Sequence, residues 1–335
     1  MKTIRNLYPR ITTFENVYEA YRKARRGKRY KEYTLDFSAN VEEEIWFILY
    51  DLREKTYRPG TYYTFTVYEP KERLICAAPF RDRVMHHALC NIIEPLYDRT
   101  FIHDSYACRA GKGTHRALFR AWDFMRRNRY ILKCDVRRYF PSIDHTVLKA
   151  LIREKVACPD TLWLADTIID HGNEVSETPG KGLPIGNLTS QFFANLYLNE
   201  LDYFVKETLK ARYYIRYMDD FIIFHDDKSF LHDYRARIRD FLAHLKLEYK
   251  AGKSEIFPVS NGFEFLGFFN RLDTVRVKKD GVKRYIQRLR ELRWKYHHGM
   301  VSLEEIGESI RCWSAHAAYA DSYRLRCQIL RNFAV

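Results

Sequence analysis

The tetrapeptide Tyr217-Met218-Asp219-Asp220 constrains this chain's fold more than any other feature. It lies between two apolar runs, Tyr213-Tyr214-Ile215 and Phe221-Ile222-Ile223-Phe224, which read as strands joined by a tight hairpin at Met218-Asp219. Two acids at the tip between buried strands are expensive unless something cationic sits beside them. An ordinary acidic turn would bring Gly or Asn and polar flanks, and this one has neither. A divalent metal ion would supply the charge. Asp135 adds weight, because it closes a separate apolar strand, Tyr130 to Val136.

Phosphoryl transfer by two metal ions needs carboxylates converging from at least two strands, so that the ions sit ~3.5–4 Å apart. One ion lowers the pKa of an attacking 3′-hydroxyl and the other steadies a leaving pyrophosphate. Mg²⁺ fits, since it takes oxygen ligands and completes its octahedron with substrate phosphates; Mn²⁺ is the alternative. Asp144 and Asp202 are nearby acids that read instead as helix-start charge and solvated helix surface.

The rest of the chain agrees with a polyanion partner. Its 335 residues carry 57 Lys and Arg against 43 Asp and Glu, a net charge of +14. Such an excess is the footprint of nucleic-acid binding, or simply of solubility. The seven cysteines form no C-x-x-C pair, so they read as buried free thiols rather than a zinc site or disulfide framework. The polar N-terminal stretch has no apolar leader and no window approaches a membrane span, which predicts a soluble cytoplasmic protein with no membrane partner.

Periodicity places helices at 14–26, 41–55, Pro79 to Pro95, His145 to Val156 and Leu188 to Thr208. Strands are expected at Thr61 to Tyr68, and as a pair at Phe263 to Phe269 and Thr274 to Val277. Beyond residue 280, Tyr285, Leu289, Leu292 and Tyr296 form a helical stripe flanked by cations that include Arg288, Arg290 and Arg293. The density of positive charge there favours a surface that tracks a nucleic-acid backbone. One further helix is expected from about Leu303 to the end.

Six stretches, in order, resemble the motifs of reverse transcriptases. Pro70-Lys71-Glu72-Arg73-Leu74-Ile75 with Phe80-Arg81-Asp82-Arg83-Val84 is similar to the fingers motif, continued by Ser105-Tyr106-Ala107-Cys108-Arg109. Lys133 to Phe140 resembles the first palm motif and Tyr217 to Asp220 the second. Gly182-Leu183-Pro184 with Gly186 and Ser190 is similar to the template-and-nucleotide loop, while Lys253-Ser254 and Gly262 to Gly267 match later palm motifs. The resemblance implies an α+β right-hand polymerase: fingers over 1–130, a palm with an antiparallel sheet over 131–279 (146–180 returning towards the fingers), and a short helical thumb over 280–335. It implies an RNA template, a DNA or RNA primer and dNTPs.

By position, Asp135, Asp219 and Asp220, with the Val136 carbonyl, would hold the two metal ions. Lys71 and Arg73 would grip the triphosphate, as a point charge and a planar fork suit phosphate oxygens. Phe140 falls where the family places its steric gate against a 2′-hydroxyl, beside Tyr139; Ile185 and Gly186 would line the nucleotide pocket. Lys253 falls where a lysine protonates pyrophosphate. Tyr217, Met218, Ser190, Gln191 and the arginines Arg288, Arg290 and Arg293 would meet template and primer.

Most relatives carry Gln after the Pro of the Gly182 loop and Pro after its Ser. This chain has Ile185 and Gln191, and that variant resembles the reverse transcriptases of diversity-generating retroelements of bacteria and phages. The tail Cys312 to Leu325, and a chain expected to stop soon after the thumb, resemble them too. Such enzymes copy a template-repeat RNA into cDNA with errors opposite adenine for mutagenic retrohoming, working with a small basic pentameric accessory protein. A group II intron, retron or antiviral-defence enzyme would share the chemistry; a catalytically dead nucleic-acid-binding module would lack it.

Overall fold

The structure is a computed structural model that describes residues 3–68, 71–250, 252 and 254–333. Four helices open the chain: α1 Tyr8–Ile11, α2 Phe14–Ala24, α3 Glu32–Ala39 and α4 Val41–Arg53. A hairpin of β1 Tyr63–Val67 and β2 Arg73–Ala77 precedes α5 Phe80–Asp98 and α6 Thr114–Met125. Then come β3 Tyr130–Asp135, α7 Tyr139–Ser142, α8 His145–Arg153, α9 Pro159–His171 and α10 Leu188–Tyr203, which runs into a π-helical turn at Phe204–Thr208. β4 Tyr213–Tyr217, β5 Asp220–His225, α11 Lys228–His244 and β6 Glu255–Pro258 follow. The chain closes with β7 Phe263–Phe265, β8 Phe268–Asn270, β9 Val275–Val277 and helices α12 Lys279–His297, α13 Leu303–Ala317 and α14 Tyr323–Asn332.

The central sheet is antiparallel with strand order β4-β5-β3-β6. Its strands alternate their side chains between two cores, as the two-residue period of a pleated strand requires. Leu132, Cys134, Tyr214, Phe221 and Ile223 face the larger core, which takes in α1, α2, α4, α5, α8, α9, α10 and α11. Ile131, Ile215, Ile222 and Phe224 face the other, closed by α6, the β7-β8-β9 sheet and Ala317 of α13. Strands covered on both faces read as continuous apolar runs, which is why they stood out in the sequence.

Four expectations need correction. The stretch 263–277 forms three strands rather than two, because Leu266 (φ 50°) and Gly267 (φ 88°) are both left-handed and reverse the chain between β7 and β8. The C-terminal helix is two helices: Ser322, whose hydroxyl donates to the Ala317 carbonyl at 2.5 Å, turns the chain between α13 and α14. The helix expected to end at Pro95 continues to Asp98, carried by burial of Leu89, Ile93 and Tyr97 against the main core. All seven cysteines are free, but only four are buried; Cys108 and Cys312 are exposed and Cys327 lies between. No helix among the described residues is long and apolar enough to cross a membrane.

Candidate active site

β3 and β5 pair so that Asp135 lies directly opposite Asp220. The hairpin between β4 and β5 pairs Tyr217 with Asp220, leaving Met218 and Asp219 as its two-residue tip. Met218 takes a left-handed backbone conformation (φ 57°), which costs a non-glycine residue about 1–2 kcal/mol. The Val136 amide approaches the Asp219 carbonyl at 3.4 Å, which ties the tip to the end of β3. Three acidic residues are thereby brought to one end of the sheet's two central strands.

Burial raises the pKa of Asp219; the Asp135 carboxylate adds to the shift, while its own backbone N–H, Arg73 and Lys71 oppose it. The charges of Arg73, on β2, and Lys71, just before it, thus bear on Asp219. Lys250 adds a further cation, 3.6 Å from Asp135. Lys253 and Pro70 lie outside the described residues.

The donor set suits a hard divalent cation, being made of carboxylates with main-chain carbonyls at hand. Among the described residues no three His, Cys, Asp or Glu side chains converge as a complete metal cage. A Mg²⁺ site that relies on substrate phosphates and water needs none. The Val136 carbonyl and the carboxylates of Asp135, Asp219 and Asp220 remain the donors available.

A loop after α9 joins the other pieces. Gly182 donates to the Ile143 carbonyl at 2.8 Å and Leu183 to the Phe140 carbonyl at 2.9 Å. On its far side the Ile185 carbonyl accepts from the Cys76 amide at 2.8 Å, so the loop is stitched to β2. Gly186 is required here: its φ is 121°, and a Cβ would lie 3.0 Å from Ile75 Cγ2. Asn187 completes the join, donating from Nδ2 to the Cys76 carbonyl at 2.9 Å and accepting from the Ala78 amide at 3.2 Å. Hydrogen bonds to the main chain thus join Phe140, the Ile185 loop and the strand of Arg73 into one connected wall.

Not every expected residue reaches that wall. Tyr139 is buried, its hydroxyl donating to the Ala194 carbonyl on α10. Arg138 is left-handed (φ 44°) and turns the chain so that Tyr139 points inward, while Phe140 stays half-buried. Tyr139 is therefore core rather than pocket lining. Ser190 is likewise buried on α10, and of that pair only Gln191 is exposed. Tyr217 is half-buried with its hydroxyl 3.1 Å from Thr114 Oγ1 on α6. Arg288, Arg290 and Arg293 are all exposed on α12, but only Arg290 and Arg293 line the open groove of about 670 Å³ between α12 and α14.

Asp202 is a correction of a different kind. It is fully buried, not solvated, and forms a two-pronged ion pair with Arg216, also fully buried. Sequence reading passed over Arg216 although the signal was present, a charged residue within an otherwise buried strand. Asn187 and Lys250 were missed as well. An asparagine and a lysine in loops carry no local mark of what they will touch. Asp144 does act as helix-start charge, accepting from the Val147 amide at 3.1 Å to cap α8.

An antiparallel sheet thus pairs acids at the ends of its two central strands, with the charges of Lys250, Arg73 and Lys71 bearing on them. The chain belongs to the reverse transcriptase (RNA-dependent DNA polymerase) family, whose model matches residues 68–269, more than half of its length. Among similar proteins is the group II intron-encoded protein LtrA of Lactococcus lactis subsp. cremoris, 29% identical over 178 residues, covering 51% of this chain and 30% of that one. Protein YkfC of Escherichia coli K12 is 26% identical over 246 residues, covering 60% and 65% respectively. The uncharacterized 91 kDa protein in a cob intron of Schizosaccharomyces pombe is 29% identical over 147 residues, covering 43% of this chain and 18% of that one. The chain thus spans less than two thirds of the length of these relatives.

Proposed function

We propose that this chain is an RNA-directed DNA polymerase that makes error-prone cDNA from a template-repeat RNA, the reverse transcriptase of a diversity-generating retroelement. The observation that carries the polymerase reading is the register of Asp135 against Asp220, with Asp219 at the adjoining tip under the charge influence of Arg73 and Lys71. Its division into fingers (1–130), palm (131–279) and thumb (280–335) follows the motif order.

In this reading Asp135, Asp219, Asp220 and the Val136 carbonyl hold two Mg²⁺ ions, which when bound supply charge neutralisation for the attacking and leaving oxygens. Lys71 and Arg73 orient the triphosphate as point charge and fork. Phe140 excludes a 2′-hydroxyl by overlap. Lys253 delivers a proton to pyrophosphate. Ile185 and Gly186 pack beside the nascent pair, Met218, Tyr217 and Gln191 meet template or primer, and the thumb arginines hold the duplex backbone. The retroelement reading rests on Ile185 and Gln191, and it brings with it a cytoplasmic setting and the small basic pentameric accessory protein.

Ile185 offers no hydrogen-bonding group where relatives carry Gln. A site relying on apolar shape discriminates by only ~1–3 kcal/mol, which fits infidelity. The relatives named above favour a second reading, a group II intron-like enzyme. RNA-templated primer extension with Mg²⁺, followed by sequencing of the cDNA, tests both. Errors concentrated opposite template adenine support the retroelement reading; extension with evenly spread errors supports the intron-like one. No extension would sink the polymerase reading and leave a nucleic-acid-binding module.

A further inference from the structure

The Arg216 guanidinium is fully buried and fixed on three sides. Nε donates to Asp202 Oδ1 at 2.7 Å, Nη2 to Asp202 Oδ2 at 2.6 Å, and Nη1 to Asn195 Oδ1 at 3.1 Å. Its partners are themselves held. Tyr214 donates to Asp202 at 2.7 Å and Asn195 donates to the Ala107 carbonyl at 2.8 Å. The Arg216 main chain is locked too: its amide donates to the Asp104 carbonyl and its carbonyl accepts from the Tyr106 amide, both at 3.0 Å.

One bond leads out of this network. Nη1 also donates to the Met218 carbonyl at 3.2 Å. That carbonyl begins the peptide bond to Asp219, at the residue whose backbone is left-handed. A buried ion pair is often no better for stability than well-packed apolar residues, so stability alone is a weak reason for this one. A planar fork already pinned by Asp202 and Asn195 leaves a single place for the carbonyl it also holds.

We propose that Arg216 is a positioning residue for the acidic turn, fixing the Met218 carbonyl and through it where Asp219 and Asp220 present their carboxylates. The inference rests on the reading of those acids as the metal-binding site. It makes Asp202 and Asn195 the anchor of that turn, although neither reaches substrate. A ligand cluster tolerates roughly 0.5 Å of displacement, so loosening the turn acts on metal binding and turnover before it acts on template affinity.

Arg216→Lys keeps a cation beside Asp202 but cannot span the carboxylate and the Met218 carbonyl together. Tyr214→Phe removes a different donor from the same Asp202 and leaves the turn contact in place. Arg216→Lys should lower kcat about 10–100-fold, raise the Mg²⁺ concentration needed for half-maximal rate, and weaken Mn²⁺ binding titrated by EPR on the template–primer complex. Template–primer Kd should stay unchanged. Tyr214→Phe should lose thermal stability but far less kcat and Mn²⁺ affinity than Arg216→Lys, because the Arg216 contact to Met218 stays in place. If Arg216→Lys does not fold, the neutral pair Arg216→Gln with Asp202→Asn carries the same expectation. Wild-type kcat and Mn²⁺ binding in the folded Arg216 variant, or equal losses in Tyr214→Phe, would overturn the inference. Asp219→Asn in the same series separates the two layers. Activity surviving in that variant removes the metal-site reading itself, whereas its loss beside an unaffected Arg216 variant removes only the positioning role.

Discussion

The Asn187 side chain holds the backbone at the end of β2, its Nδ2 donating to the Cys76 carbonyl and its Oδ1 accepting from the Ala78 amide. The loop that bears Ile185 and the strand that bears Arg73 are therefore one mechanical unit. Asn187→Ala would strand two buried main-chain groups at a cost of about 2–4 kcal/mol. The expected outcome is a lower denaturation midpoint and a dNTP KM raised several-fold, with template affinity kept. A KM equal to wild type in the folded variant would mean that Arg73 is placed without help from the loop.

Asp219→Asn should abolish polymerisation while folding and RNA binding persist; extension above a few percent of wild type would move the metal site elsewhere. Stability gives a second readout. The folded-state pKa of Asp219 is raised, chiefly by burial and then by Asp135. Its contribution to stability is complete below the ordinary aspartate pKa and is lost as pH rises through the raised value. At neutral pH the ionised carboxylate is therefore a burden, and Asp219→Asn should melt higher than wild type without divalent ions. The gap should close in acid, and added Mg²⁺ should raise the melting temperature of the wild type more than that of the variant.

Phe140 is half-buried against the main core, with its carbonyl held by Leu183. Phe140→Ala should let rNTPs compete by relieving overlap, improving their kcat/KM rather than speeding dNTP addition. Competition assays with matched rNTP and dNTP check this. An unchanged ratio would make the ring a packing group only.

The arginines of α12 separate by face. Arg290 and Arg293 line the groove with α14 and Arg288 does not. Replacing the groove pair by Gln should flatten the slope of log K against log salt by up to about 0.9 for each phosphate no longer neutralised. Arg288→Gln alone should change it less. Equal effects from both sets would show that the duplex lies across the whole helix rather than along the groove.

Much of this was legible beforehand, and the reason is local. Asp135, Asp219 and Asp220 stand out because acids end strands that are otherwise apolar, and strand alternation then fixes where they point. The hairpin at Met218 was readable from its flanking runs although its turn residues are atypical. What escaped depends on partners distant in sequence. The periodicity of α10 does not say that Asp202 will meet an arginine from β4. Tyr139 and Phe140 look alike in sequence, yet the left-handed turn at Arg138 leaves the first ring buried and the second half-buried, packed edge to face at 5.8 Å. Splitting of the last helix rests on the Ser322 hydroxyl at the Ala317 carbonyl and on Asp321 bonded to Val275 of β9, contacts that no hydropathy pattern carries.

Tyr285, Leu289 and Ile329 form a small cluster apart from the two that flank the sheet, and Tyr285 stacks on Trp313 at 4.2 Å between ring centroids. Helices α12, α13 and α14 thus carry an apolar centre of their own, while Val282 and Ala317 tether them to the sheet. A unit built this way can open at less than the global cost of unfolding. Amide hydrogen exchange would register it as a separate cooperative step, with α12 and α14 losing protection together while β3 and β5 keep theirs. If the proposed polymerase reading holds, such a gradient lets these helices release and regrip a duplex at the cost of that outer cluster, with the arrangement of the acids undisturbed from one nucleotide to the next.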